Sequence, residues 1–261
     1  MSTPNRWAVN QSGLVNIYDI KTGKAIVSLE TLKTTSVETT GETKYAIGGP
    51  GNAKIVGFST NKSAALKLQD AIFDNKAISM LTGNNVSKGA RVIDRKEVGT
   101  TTGSSLTLQK TPTGAIVSVY QLNPDGTNDK EFTLATTTPG ASEYSISGKI
   151  LTFNVAVTDG TKFRIYYKVT TATDAQSIKV SSDKFAGTYR VTVDVIVVDE
   201  FTKQACNGQI IIPNAKFEDS FNISLASGSD PAVLDLNMEI LKDATGTTMW
   251  EMVVFDDTAI V

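Results

Sequence analysis

The chain has 261 residues, 40% hydrophobic and 20% charged, which fits a folded globular protein rather than a disordered or fibrous one. Its net charge of −2 and pI of 5.3 argue against a protein built to grip nucleic acid. With no histidine and one cysteine, Cys206, it has no His-based nucleophile triad, no His- or Cys-rich zinc site, no iron–sulfur cluster and no intrachain disulfide. Cysteine usage fits a reducing cytosol. No run reaches the ~18 apolar residues of a membrane helix, and "MSTPNRWAVNQSG" has no signal-like apolar segment.

In chain order, "LVNIYDIKTGKAIVSLE" reads as two strands joined at Lys21-Thr22-Gly23. "KTTSVETT" and "AKIVGFSTNKSAALKLQ" read as two long strands joined by the glycine-rich "YAIGGPGN". Within the second, Ala64, Leu66 and Leu68 share one face. "DNKAISMLTG" predicts one short helix, with Asp74 as its cap, Ile78 and Leu81 as its apolar stripe and Gly83 as its left-handed stop. From 99 to 174 the chain turns Thr-, Ser- and Gly-rich, with short strands between frequent turn signals, and reads as a small β-sandwich-like insertion or an elaborated part of the main sheet. "YRVTVDVIVV" (189–198), "KFEDSFNISL" (216–225, aligning Phe217, Phe221, Ile223 and Leu225) and "AVLDLNMEIL" (232–241) predict further strands.

The glycine-rich stretch invites a phosphate-loop reading and fails it. Counting from Gly48, the sixth position is Ala53, and Ile55 follows Lys54 where Ser or Thr must hold magnesium. Counting from Gly49, the dinucleotide pattern ends on Lys54 instead of glycine, and strand-like sequence follows where a helix must start. "NPDGTNDKE" (123–131) offers oxygen ligands, but its Pro-Asp-Gly reads better as a turn. The acid pairs Asp199-Glu200 and Asp256-Asp257 are adjacent, so on strands they point to opposite faces and make poor acid–base partners. No catalytic residue, cofactor site or metal site is identified.

Charge is unevenly spread: residues 218–261 carry Lys242 against Glu218, Asp219, Asp230, Asp235, Glu239, Asp243, Glu251, Asp256 and Asp257. Such a run forms either the solvated faces of alternating strands or a deliberately negative surface.

The order of these elements resembles the major tail proteins, or tail tube subunits, of long-tailed bacteriophages. The resemblance rests on residues 14–83, resumes at "IKVSSDKFAGTYRVTVDVIVVDEFTKQACNGQIIIPNAKFEDSFNISLASGSDPAVLDLNMEIL" and closes at "TMWEMVVFDD". It implies a mainly β protein: a tail-tube-type antiparallel β-sandwich or barrel over 1–98 and 175–261, with one short packed helix and a β-rich insertion at 99–174. It implies a non-enzymatic virion component without cofactors, made in the host cytoplasm. Its partners would be copies of itself in stacked six-membered rings, together with tape measure and terminator or baseplate proteins. DNA would pass through unbound, and no membrane would be entered. Gly48, Gly49, Pro50, Gly51, Asn52 and Lys54 are then expected to form an inter-subunit loop, and Asp235, Glu239, Asp243 and Glu251 to face the channel. Alternative readings are a head decoration protein and a carbohydrate-binding adhesive sandwich.

Overall fold

The structure is a computed structural model that describes residues 4–9, 11–223 and 232–256; Leu225, Asp230 and Asp257 lie outside these residues. The chain divides into two compact units, Met1–Val86 with Ile178–Val261, and Ser87–Ser177. In chain order, the first unit opens with β1 (Trp7–Val9), β2 (Leu14–Asp19), β3 (Ala25–Leu29), β4 (Leu32–Gly48), β5 (Ala53–Asp70) and helix α1 (Asn75–Thr82). The second unit holds β6 (Ser87–Lys88), β7 (Val92–Thr100), β8 (Ser105–Thr107), β9 (Ser118–Leu122), β10 (Asn128–Leu134), β11 (Glu143–Ser147), β12 (Ile150–Phe153), β13 (Lys162–Thr170) and β14 (Gln176–Ser177). The first unit then resumes with β15 (Thr188–Asp199), β16 (Ala205–Phe217), β17 (Leu234–Leu241) and β18 (Glu251–Phe255). The expected mainly β, antiparallel class with one short helix is what the described residues form.

The first unit is built on a nine-stranded sheet ordered β3-β2-β15-β16-β17-β5-β4, with β1 also pairing β15 and β18 also pairing β16. Period-two patterning decides which face is buried. Leu66 and Leu68 of β5, Leu234, Leu236, Met238 and Ile240 of β17, and Val191 and Val193 of β15 all point into one core. Each such side chain contributes about 1.5–3 kcal/mol on burial. Helix α1 covers this face with Ala77, Ile78, Met80 and Leu81. Asp74 caps it by accepting from the backbone amides of Lys76 (2.6 Å) and Ala77 (2.9 Å). Gly83 ends it at φ 67°, and the carbonyl oxygen of Phe185 would stand 2.2 Å from any Cβ there, so the site takes only glycine. The β2–β3 hairpin turns where expected. Gly23 sits at φ 68°, and Asp19 accepts from the Thr22 amide and hydroxyl, which holds its carboxyl below the usual range.

One expected strand is shorter than its sequence suggests. Of the strand expected over 216–225, Lys216 and Phe217 are the end of β16, the described residues 218–222 are irregular, and Ile223 forms an isolated bridge to Leu234. Lys216 turns its ammonium to Asp219 at 3.0 Å, three residues on, and the Glu218-Asp219 pair breaks the apolar alternation. Phe221 still packs against the core, but from irregular chain.

The second unit has its own core in a seven-stranded sheet ordered β7-β13-β9-β10-β11-β12-β8. All its pairings are antiparallel except β10 with β11. Phe153 of β12 stacks on Phe163 of β13 at 4.1 Å although three strands separate them in that order, so the sheet curls over itself. The ends of the strand order also approach: a Cβ on Gly99 of β7 would meet Leu106 of β8 at 2.9 Å. Buried Glu97 is satisfied by the Tyr167 hydroxyl (2.5 Å) and the Gln109 amide (3.0 Å). Burial first, and the Glu97 bond second, push the Tyr167 phenol above its usual pKa. The unit's two ends are clasped by β6 and β14, with Arg91 donating to the hydroxyls of Ser87 (2.9 Å) and Ser177 (3.2 Å).

Candidate functional site

The site is the far half of the β4–β5 hairpin. From Ala64 to Asp70, β5 lies between β4 and β17, and its last partner on β17 is Ile240, opposite Ala64. Beyond that point, among the described residues, the two strands pair only with each other. Residues 40–48 of β4 and 53–63 of β5, at about 3.3 Å each, project on the order of 30 Å from the sheet. The departure is marked in the backbone. Gly41 opposes both Asn61 and Lys62 in a bulge, and Asn61 sits at φ 52°. Asn61 donates its side-chain amide to Glu42 at 2.8 Å, and Trp250 donates its indole N–H to Thr39 at 3.0 Å, bracing the base of the arm.

The arm is strand almost to its tip. Gly48 and Lys54, both expected in a loop, belong to the β4 and β5 ladders, and the turn is Gly49, Pro50, Gly51 and Asn52 alone. Gly49 (φ 78°), Gly51 (φ 84°) and Asn52 (φ 52°) are left-handed, and the Asn52 amide closes on the Gly49 carbonyl at 3.1 Å. Lys54 places its ammonium 4.0 Å above the Tyr45 ring. That ring lies over Gly57, where a Cβ would stand 3.2 Å from it, so an aromatic covers this bare backbone position of β5.

What sequence reasoning missed is the apolar load. Tyr45, Val56, Ile47, Ile55 and Phe58 are all exposed, the last three by 60%, 65% and 60%. Register puts Lys44, Ala46, Val56 and Phe58 on one face and Tyr45, Ile47 and Lys54 on the other. The signal was available: apolar residues at consecutive positions 45–47 and 55–56 belong to a strand covered on both faces, yet a two-stranded ribbon covers neither.

The four acidic candidates are not all brought together. Asp235 and Glu239 point away from the core, alternating with buried Leu236, Met238 and Ile240; Asp235 accepts from Gln69 at 3.0 Å, and Glu239 lies across from Lys216 and Ala65. Glu251 opposes Ile211, which pairs with Thr192, and so lies on the same outward face. Asp243 stands apart, in the loop between β17 and β18, where it accepts from the Thr245 hydroxyl at 2.9 Å. Glu38 joins the first three, bonded to Lys67 at 2.8 Å; that bond and the carboxylate's charge raise the Lys67 pKa. Among the described residues, no cation pairs with Glu239 or Glu251, no cluster of acids is placed to hold a metal ion, and no helix is long and apolar enough to cross a membrane.

The ribbon thus exposes large side chains on both faces and is attached to a sheet that ends in two strands, β3 and β4. The model of the YomU/Tube protein family matches residues 7–253. The chain belongs to that family. Membership makes it a tube-type structural protein, consistent with a phage tail tube. No curated protein matches the chain.

Proposed function

We propose that the chain is a tail tube subunit that polymerises as stacked six-membered rings and forms the conduit for phage DNA. The arm carries this reading. Two-stranded ribbons are marginal alone in water, and contiguous exposed apolar side chains mark an interface. A second copy is the partner that an abundant self-assembling subunit always has at hand. The sheet ends in β3 on one side and the seventeen-residue β4 on the other, two unlike edges. Joining unlike edges head to tail is a heterologous contact, which closes into a ring when the rotation from one copy to the next divides a full turn. The number six comes from the resemblance to tail tube subunits.

In such a ring the outward face of the nine-stranded sheet lines the channel. Asp235, Glu239 and Glu251 supply carboxylates there that repel the DNA backbone and keep it from sticking. The glycines and Asn52 of the arm's tip permit the turn to reshape as it seats on a neighbouring copy, and the 99–174 segment is an insertion on the tube body. Assembly takes place in the host cytoplasm and the product is the virion tail.

Negative-stain microscopy of the concentrated protein tests the proposal. Tubes with six-fold end views are expected, whereas flat lattices or monomers at every concentration overturn it. Deleting 47–52 should leave a folded subunit that makes no tubes, and normal tubes from that deletion refute the role given to the arm.

A further inference from the structure

The second unit carries a groove that neither the family nor the tube reading explains. It holds about 650 Å³ on the outward side of β7, β13 and β9, within the range of small-molecule sites. Its floor is aromatic: the Tyr120 and Tyr166 rings stand edge to face at 6.4 Å and an interplanar angle of 80°, both half-buried. Asp94, Lys96, Ser118 and Asn128 line its walls. The wall beside Tyr120 is fixed in advance. Arg164, paired with Tyr120 across the strands, donates to the Asn128 side-chain oxygen (2.5 Å) and to the Gly126 carbonyl (2.8 Å), which leaves the Asn128 amide nitrogen as a donor for the groove.

Pairing register places Lys96, Lys162, Arg164 and Lys168 on this outward face against Asp94 and Glu131. Among the described residues none of the four cations is in an ion pair, so the face is uncompensated and positive. A structural reading asks nothing of these groups, because the unit's core lies on the opposite side of the sheet.

We propose that this groove binds an acidic saccharide. The tyrosine rings take the apolar C–H face of a pyranose, Lys96 and the neighbouring cations take its carboxylate or phosphate, and Asp94 and Asn128 hydrogen-bond its hydroxyls. Single-stranded nucleic acid also uses rings and cations. It is disfavoured because Asp94 and Glu131 stand where a phosphate backbone would run, whereas sugar hydroxyls need such acceptors. The proposal does not rest on the tube reading and survives its failure.

The test uses the full chain on a printed array of neutral, uronate-bearing and phosphate-bearing glycans, with a single-stranded oligothymidylate on the same surface. Binding to acidic glycans, weakening as salt rises, is the expected result. Tyr166→Ala and Lys96→Gln should each weaken it about tenfold, the scale of one lost stacking or charge contact, while Tyr166→Phe retains it. Were Tyr166→Ala to unfold, Tyr120→Ala and Lys96→Gln carry the same test from outward positions. Absence of glycan binding overturns the proposal. So do equal binding of neutral glycans, unchanged binding by the variants, or capture of the oligothymidylate alone.

Discussion

Along β5, residues 64–70 alternate between core and solvent, whereas residues 53–62 bury nothing, although both halves pair with the same strand in one ladder. The inner half has a second neighbour, β17, and a helix beneath it; the outer half has neither. Composition does not separate them, since Ile55, Val56 and Phe58 are as apolar as Leu66 and Leu68. What separates them is which surface is meant to cover them. The inner half is completed within the chain, and the outer half is left bare by it, which is where the proposed contact with a second copy falls.

The largest effect expected from this contrast is all or none. Ile55→Asp combined with Phe58→Asp should abolish tubes while leaving the subunit's melting within about 0.5 kcal/mol of the parent, as surface substitutions do. Tube formation is read by sedimentation and stability by urea titration. A matching loss of stability would mean that the arm is part of the monomer's fold. On the inner half the same strand should answer in the opposite way. Leu66→Ala leaves a cavity in the first unit's core and should cost about 2–5 kcal/mol in the same titration.

The inner half, the helix and their boundaries were legible in the sequence because each obeys a local rule. Ala64, Leu66 and Leu68 keep period two, Asp74 is a capping side chain, and Gly83 stands where only glycine fits. β16 was overextended past Phe217 because Phe221 and Ile223 keep the strand period, and the turn of Lys216 to Asp219 is a tertiary event that periodicity does not carry. Three of the four acidic candidates share a face because they alternate with, or pair beside, core positions; Asp243 has no such neighbours. The arm is legible on its β5 side, where "AKIVGFSTNKSAALKLQ" reads as strand, but "KTTSVETT" stops at 40 while β4 runs on to Gly48. Consecutive apolar residues predict cover on both faces, and periodicity does not say where that cover comes from.

A smaller effect belongs to the bulge that divides the halves. Asn61 at φ 52° tolerates the left-handed backbone and bonds Glu42. Asn61→Ala loses both, at a cost of about 1 kcal/mol. Because the loss falls on the ribbon, it should appear in hydrogen exchange as about fivefold faster exchange of the arm's ladder amides. Amides of residues 64–70 should not change. Uniform acceleration across both halves would erase the proposed division.

The smallest effect distinguishes the halves by charge. On the inner half Lys67 is tied to Glu38 on the outward face, and the hydrogen bond, then the carboxylate's charge, raise its pKa. A lysine whose folded value is raised lends stability that is complete below its unfolded value of about 10.4 and fades as pH climbs through the folded one. Melting temperature followed into alkaline solution should therefore fall more for the parent than for Lys67→Gln, until the two curves meet. Both side chains are exposed, so the gap at neutral pH should be small and shrink with added salt. The tyrosines Tyr144, Tyr167 and Tyr189, whose values burial raises, titrate in both proteins and cancel from the comparison. Parallel curves would show that the Glu38–Lys67 contact contributes nothing to the sheet. The inner half would then differ from the arm only in the core beneath it.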